Sequence, residues 1–155
     1  MSKIIETKKF DDESIISLWR EAFGDTREEI EFFLDNCENK SVLCYYKNNE
    51  LLSMLFLVDC TVSNERYKYI YAACTRKRAR KSGVMTELLD FAKECYSGIL
   101  LIPADEKLSK YYKKRGFTHK IEIDFIRFYE IEDVIEYLFE GCELSRPYAL
   151  AYIGD

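Results

Sequence analysis

The eight residues Arg76-Lys77-Arg78-Ala79-Arg80-Lys81-Ser82-Gly83 carry the densest chemistry in this chain. Five of the six from Arg76 to Lys81 are cationic, although the 155-residue chain has a formal net charge of -5. After Gly83 the apolar residues Val84, Met85, Leu88, Leu89, Ala92, Cys95 and Tyr96 recur at helical spacing, so Gly83 stands at a helix start. A helix N-terminus offers unpaired backbone N–H groups and the positive end of a macrodipole. A glycine there leaves no side chain to hold an anion away from that backbone. Such a set suits a phosphate or pyrophosphate group. A solvated basic turn is the competing reading, because short basic runs are common and unspecific. The run joins a strand to a helix, and that placement favours the anion cradle.

The elements that must hold this join are legible on either side of it. Tyr67 to Cys74 is aromatic and apolar on both alternating faces, as in a buried strand. Ile99 to Ile102, closed by Pro103, reads as a second strand. Strand, helix and strand with short joins make a crossover unit whose two strands run parallel. Upstream, Lys3 to Lys9 forms a first strand, and Asp11 or Asp12 caps a helix that Gly24 ends, with Phe10 and Ile15 as a hydrophobic staple. Thr26 to Glu29 is a capping box for a second helix. Ser41 to Tyr46 and Leu51 to Val62 are strands joined at Asn48-Asn49, and Ser63-Asn64-Glu65 turns the chain into the central strand. Downstream, Asp105 can cap a helix from Glu106 to Arg115, with Gly116 as its stop. His119 to Tyr129 reads as a strand, Ile131 to Phe139 as a short helix and Pro147 to Ile153 as a final strand.

On these residues the chain resembles the GNAT superfamily of N-acetyltransferases. Arg80-Lys81-Ser82-Gly83-Val84-Met85 is similar to the Arg/Gln-x-x-Gly-x-Gly/Ala acyl-CoA motif of that family. Leu101-Ile102-Pro103-Ala104-Asp105, followed by Tyr111-Tyr112-Lys113-Lys114-Arg115-Gly116-Phe117, is similar to its second motif, which ends in Tyr-x-x-x-Gly-Phe. The match covers residues 50–118 and is architectural outside them. Met85 stands where a small residue is usual, and Asp105 where many members carry Asn.

The resemblance implies an α/β (α+β) fold: a central mixed, mostly antiparallel twisted sheet, helices on both faces and a β-α-β acyl-CoA-binding unit. It implies a single domain over residues 1–155. The sheet should part after Cys74 and Ile102, with the thioester in the gap and the pantetheine arm pairing like an added strand edge. Ala73, Cys74 and Thr75 would offer backbone groups to the pantetheine. Arg80, Lys81, Ser82, Gly83, Val84 and Met85 would hold the pyrophosphate, mainly by backbone N–H, and Arg76, Lys77 or Arg78 the remaining phosphate. Asp105 would touch the cofactor or only cap its helix. Tyr112 matches the family's general acid, and a backbone N–H near Ala73 or Cys74 would serve the oxyanion. Transfer is direct, so Cys74 is a core residue and no acyl carrier. Asp59, Glu65 and Glu87 are the candidate bases, with a water relay as the alternative. The acceptor is expected against the first two helices and the loop Gly24-Asp25, near Trp19, Phe23, Phe32 and Phe33.

Composition sets the outer limits. The chain's size and apolar content suit one globular core and not a disordered chain. A sequence pI near 5.1 argues against general nucleic-acid binding. Six cysteines without a C-x-x-C pair read as reduced thiols in a cytoplasmic protein. The single His119 has no partner at ligand spacing, so no metal is expected, and no apolar run of membrane length appears. The leading expectation is an acetyl-CoA-dependent N-acetyltransferase acting on a primary amine of a small molecule or peptide. A non-catalytic CoA-binding module is the alternative, and a nucleic-acid binder using Arg76 to Lys81 a third. A homodimer is left open.

Overall fold

The computed structural model describes residues 1–142 and 144–154. In chain order it has β1 (Ser2–Thr7), α1 (Asp12–Phe23), α2 (Arg27–Asn36), β2 (Lys40–Lys47), β3 (Glu50–Val62), β4 (Glu65–Thr75), α3 (Val84–Cys95) and β5 (Gly98–Leu101). There follow α4 (Glu106–Lys113), β6 (His119–Glu122), β7 (Ile126–Phe128), α5 (Glu132–Phe139) and β8 (Tyr148–Ile153). The eight described strands form one sheet in the order β1-β2-β3-β4-β5-β8-β6, with β7 pairing β3 off this path. Only β4 and β5 are parallel; every other pair is antiparallel.

β3 explains why both faces of the sheet must be covered. Leu51 through Val58 are all buried, so its side chains enter two separate cores. Met54, Phe56 and Val58 pack with Trp19 of α1, Phe33 of α2 and Leu138 of α5. Leu55 and Leu57 pack with Leu88 and Leu89 of α3 and with Phe117 on the other face. An unbroken apolar run is the signature of a strand buried on both sides. Asn48 and Asn49 both have positive φ (53° and 66°), as do Ser63 and Asn64 (51° and 69°), which suits tight hairpin turns at both ends of β3.

Three expectations change. Asp11 occupies the N-cap of α1, but no helix N–H bonds to its side chain, which instead accepts from Ser14 Oγ at 2.6 Å. Residues His119 to Tyr129 are not one strand: β6 pairs β8, a 3₁₀ turn at Ile123–Phe125 intervenes, and β7 pairs β3. A continuous strand would have to stay beside one partner, whereas this segment leaves one margin of the sheet and returns at another.

The third change concerns the gap. β4 and β5 pair only at Lys68 with Ile99 and Tyr69 with Leu100. The sheet therefore parts before Cys74 and Ile102, earlier than the sequence suggests. The cause is visible in β4, where Met54 faces Cys74 but Phe56 faces Tyr71, so Leu55 spans both Ala72 and Ala73. This is a β-bulge, which bends and twists its strand. Ala72 takes φ 55°, a left-handed conformation uncommon outside glycine and the short polar residues.

Candidate active site

Two clefts open where β4 and β5 separate, and they share Phe23, Ala73, Leu108 and Tyr112. The larger, of about 560 Å³, lies between the start of α3 and α4. Ala73, Cys74, Thr75, Arg80, Lys81, Gly83, Val84 and Met85 all line it, so eight of the residues expected at a CoA site come together. Thr75 is fixed from below by Ser53, whose fully buried hydroxyl lies 2.8 Å from Thr75 Oγ1 and donates to the Cys74 carbonyl at 2.9 Å.

The start of α3 is built to receive an anion. Gly83 sits at φ 87°, and its capping position supplies no side-chain hydrogen bond. The first helical bond runs from Glu87 N to Gly83 O at 3.0 Å, which leaves the N–H groups of Val84, Met85 and Thr86 ahead of it. These three residues line the cleft beside Arg80, Lys81 and Arg115. A Cβ at position 83 would meet nothing within 4 Å, so the approach to this backbone is open. Orphan N–H groups ringed by cations fit the pyrophosphate of CoA.

Two other cations of the basic run are ion-paired. Arg76 forms an ion pair with Glu21 at 3.2 Å and donates to the Leu51 carbonyl, tying the loop to α1 and β3. Lys77 N donates to the other Glu21 oxygen at 2.7 Å. That backbone bond is the main reason the Glu21 carboxyl is held below its usual range. Arg78 pairs with Glu50. Neither Arg76 nor Arg78 lines the cleft. Ser82 also turns away: its hydroxyl donates to the Ala79 carbonyl and it borders a separate hollow with Arg78. Asp105 lines neither cleft and caps α4, accepting from Leu108 N at 2.8 Å.

Tyr112 stands at the junction. Its side chain is buried, and no described residue hydrogen-bonds its hydroxyl. Since no fully buried side-chain oxygen or nitrogen among the described residues lacks a partner, that hydroxyl keeps access to the clefts. Burial, with lesser contributions from Tyr111 and Cys74, pushes its pKa well above the ordinary tyrosine value. The phenol therefore stays protonated at neutral pH. Tyr111 instead packs flat under Arg115, whose guanidinium lies 3.5 Å from the ring centroid. Burial pushes the Cys74 thiol up to about 12, with Arg76 and Arg80 opposing, which leaves it protonated and a poor nucleophile.

The second cleft, of about 340 Å³, is walled by α1, the open half of β4, the end of β5 and the end of α5. Trp19, Phe23 and Asp25 line it as expected, while Phe33 is fully buried and Phe32 packs on Tyr137. Asp59, Glu65 and Glu87 line neither cleft. Asp59 is paired with Lys68, and Glu65 sits at the far end of the β3–β4 hairpin. The carboxylates that do line the second cleft are Asp25 and Glu140. Sequence reasoning named the loop of Asp25 but passed over Glu140. Its only signal was position at the end of a short helix whose place in the fold was not readable.

The split sheet thus carries a basic helix start on one side of the split and an acidic pocket on the other. The family model described as an acetyltransferase (GNAT) domain matches residues 3–119. The chain belongs to that family. Among solved structures it resembles an acyl-CoA N-acyltransferase from Pseudomonas aeruginosa, with 16% identity, a TM-score of 0.68 and 98% of this chain and 99% of that one covered. It also resembles N-acetylglutamate synthase from Neisseria gonorrhoeae, solved with coenzyme A and N-acetyl-glutamate, with 14% identity and a TM-score of 0.67. That match covers 100% of this chain and 35% of the synthase. A third, an Enterococcus faecalis protein, has 17% identity and a TM-score of 0.55 over 79% of this chain. The chain spans about a third of the Neisseria and Enterococcus proteins, 35% and 33%. A search of curated protein sequences finds no match. No helix among the described residues is long and apolar enough to cross a membrane.

Proposed function

We propose that this protein transfers an acetyl group from acetyl-CoA to a primary amine. The observation that carries the reading is the meeting of an anion-binding cleft and an acidic pocket at Tyr112 and Ala73. The N–H groups of Val84 to Thr86, with Arg80 and Lys81, hold the pyrophosphate. The bulge at Ala72-Ala73 leaves neither residue a register partner on β3 or β5, and a backbone N–H there serves the oxyanion.

The amine nitrogen attacks the thioester carbon from the second cleft. A C–N bond forms, the C–S bond breaks, and Tyr112 gives its proton to the departing sulfur. The amine's surplus proton leaves to water at the open mouth. An amine panel with acetyl-CoA, followed by free thiol release, tests the reading. Thiol release above the hydrolytic background for at least one amine is expected. CoA binding without release for any amine would overturn it in favour of a binding module.

A further inference from the structure

The second cleft has an asymmetry of charge that selects its occupant. Its two charged side chains, Asp25 and Glu140, are both carboxylates, and no Lys, Arg or His among the described residues lines it. Asp25 is the inner of the two. It is partly buried, whereas Glu140 is exposed at the end of α5. Trp19 Nε1 donates to Asp25 Oδ2 at 2.8 Å, which fixes the carboxylate and leaves Oδ1 without a described partner. The fixing is firm because Trp19 is 1% exposed and wedged against Phe33, Phe56 and Tyr71.

The remaining wall is apolar or aromatic, from Tyr71, Ile102, Leu138 and Phe139. A volume near 340 Å³, divided by roughly 30 Å³ for one water, corresponds to about eleven waters. That is room for an acceptor of about that many heavy atoms.

We infer that the acceptor is a small amine with an aromatic or apolar body and no carboxylate, its ammonium held by Asp25. An α-carboxylate would meet Asp25 and Glu140 with no cation to offset it, and like charges brought together are strongly disfavoured. Asp25 binds the protonated amine on entry, and the amine reacts after losing that proton to water. The inference rests on the acyl-transfer reading for the cleft's purpose, but binding tests it without turnover.

The probes are 2-phenylethylamine and phenylalanine, which share a ring and differ by the carboxylate. With protein saturated in CoA, ligand-observed NMR should detect 2-phenylethylamine and not phenylalanine at equal concentration. In assays with acetyl-CoA, kcat/KM for 2-phenylethylamine should exceed that for phenylalanine at least about tenfold, the size of one charged contact. Asp25→Asn keeps an acceptor for Trp19 Nε1 and removes the charge. It should raise KM for 2-phenylethylamine about tenfold, leaving kcat and KM for acetyl-CoA near wild type. Equal binding of the two probes, or an unchanged amine KM in Asp25→Asn, overturns the inference while leaving acyl transfer intact. Selective, Asp25-dependent binding of 2-phenylethylamine upholds the cleft's preference for a carboxylate-free amine even without thiol release, and the acyl-transfer reading then stands or falls on the amine panel.

Discussion

The two clefts that meet at Tyr112 are made of different material. The basic cleft is backbone and contiguous sequence: its anion-binding groups are consecutive N–H donors at Val84 to Thr86, with Arg80 and Lys81 just before them. The acidic cleft is side chains drawn from five segments, near Trp19, Tyr71, Ile102, Tyr112 and Leu138. Binding through backbone recognises what every CoA thioester shares. Binding through scattered side chains can change one residue at a time without disturbing the sheet. On the proposed function, the basic cleft is thus tied to the fold and the acidic cleft is free to vary.

The largest expected effect is at the wall between them. Tyr112→Phe should lower kcat by about 100-fold, the lower end for general acid catalysis, with KM for acetyl-CoA little changed. A thiolate with a parent pKa near 8.5 is already a fair leaving group. The loss should therefore shrink as pH rises, which a pH–rate profile of both proteins will read. Wild-type kcat across the range would remove Tyr112 from the chemistry and merge the two clefts into one passive groove.

Next comes the basic side. Arg80→Ala should weaken CoA binding by calorimetry about tenfold at low salt, through loss of one charged contact. The deficit should narrow as salt is added, because the cleft is open to solvent. Affinity equal to wild type would shift the anion site off the loop.

A smaller effect is expected from the buried thiols. Burial raises Cys37, Cys60 and Cys74 from 9.0 to about 12 and Cys44 to about 11. A folded pKa above the unfolded one gives stability that is complete below pH 9 and lost as pH rises towards 11–12. Between pH 9 and 10 each such thiol should remove on the order of 1 kcal/mol in denaturant titrations. Cys74→Ala should flatten that slope slightly and retain most turnover, and mass spectrometry should find no acetyl group on Cys74 after exposure to acetyl-CoA. An acetylated Cys74 would mean that a residue of the cradle also does chemistry.

The least effect belongs to Arg78→Ala. Its pair with Glu50 is exposed on both sides and lies outside the cleft. CoA affinity should stay within measurement error. A loss matching that of Arg80→Ala would show that charge density alone, and not the helix start, makes the cradle.

The same contrast explains what was legible in the sequence. The crossover from Tyr67 to Phe117 could be read because its signals are local: alternation in β4, helical spacing after Gly83, and a glycine stop after α4. Every member of the basic cleft falls near a motif or a helix end. The register of β4 against β5 was not readable, because a bulge depends on which residues face Leu55 across strands. The roles of Arg76 and Arg78 were hidden for the same reason, since Glu21 and Glu50 are distant in sequence. His119 to Tyr129 misled because one apolar–polar pattern serves two partners. Glu140 carries no local mark beyond its place at the end of a short helix.

The short register between β4 and β5 has a consequence for aggregation and exchange. Beyond Tyr69 and Leu100 both strands present unpaired margins, yet these lie in the interior of the sheet. A bare margin usually invites a strand from another molecule. Here α1 and α4 flank it, and Phe23 and Leu108 stand where the two clefts meet. A slim extended chain can enter, whereas a neighbouring sheet cannot. Amides in the upper half of β4 should therefore exchange with solvent faster than their central position suggests, and slow when a ligand lies along them.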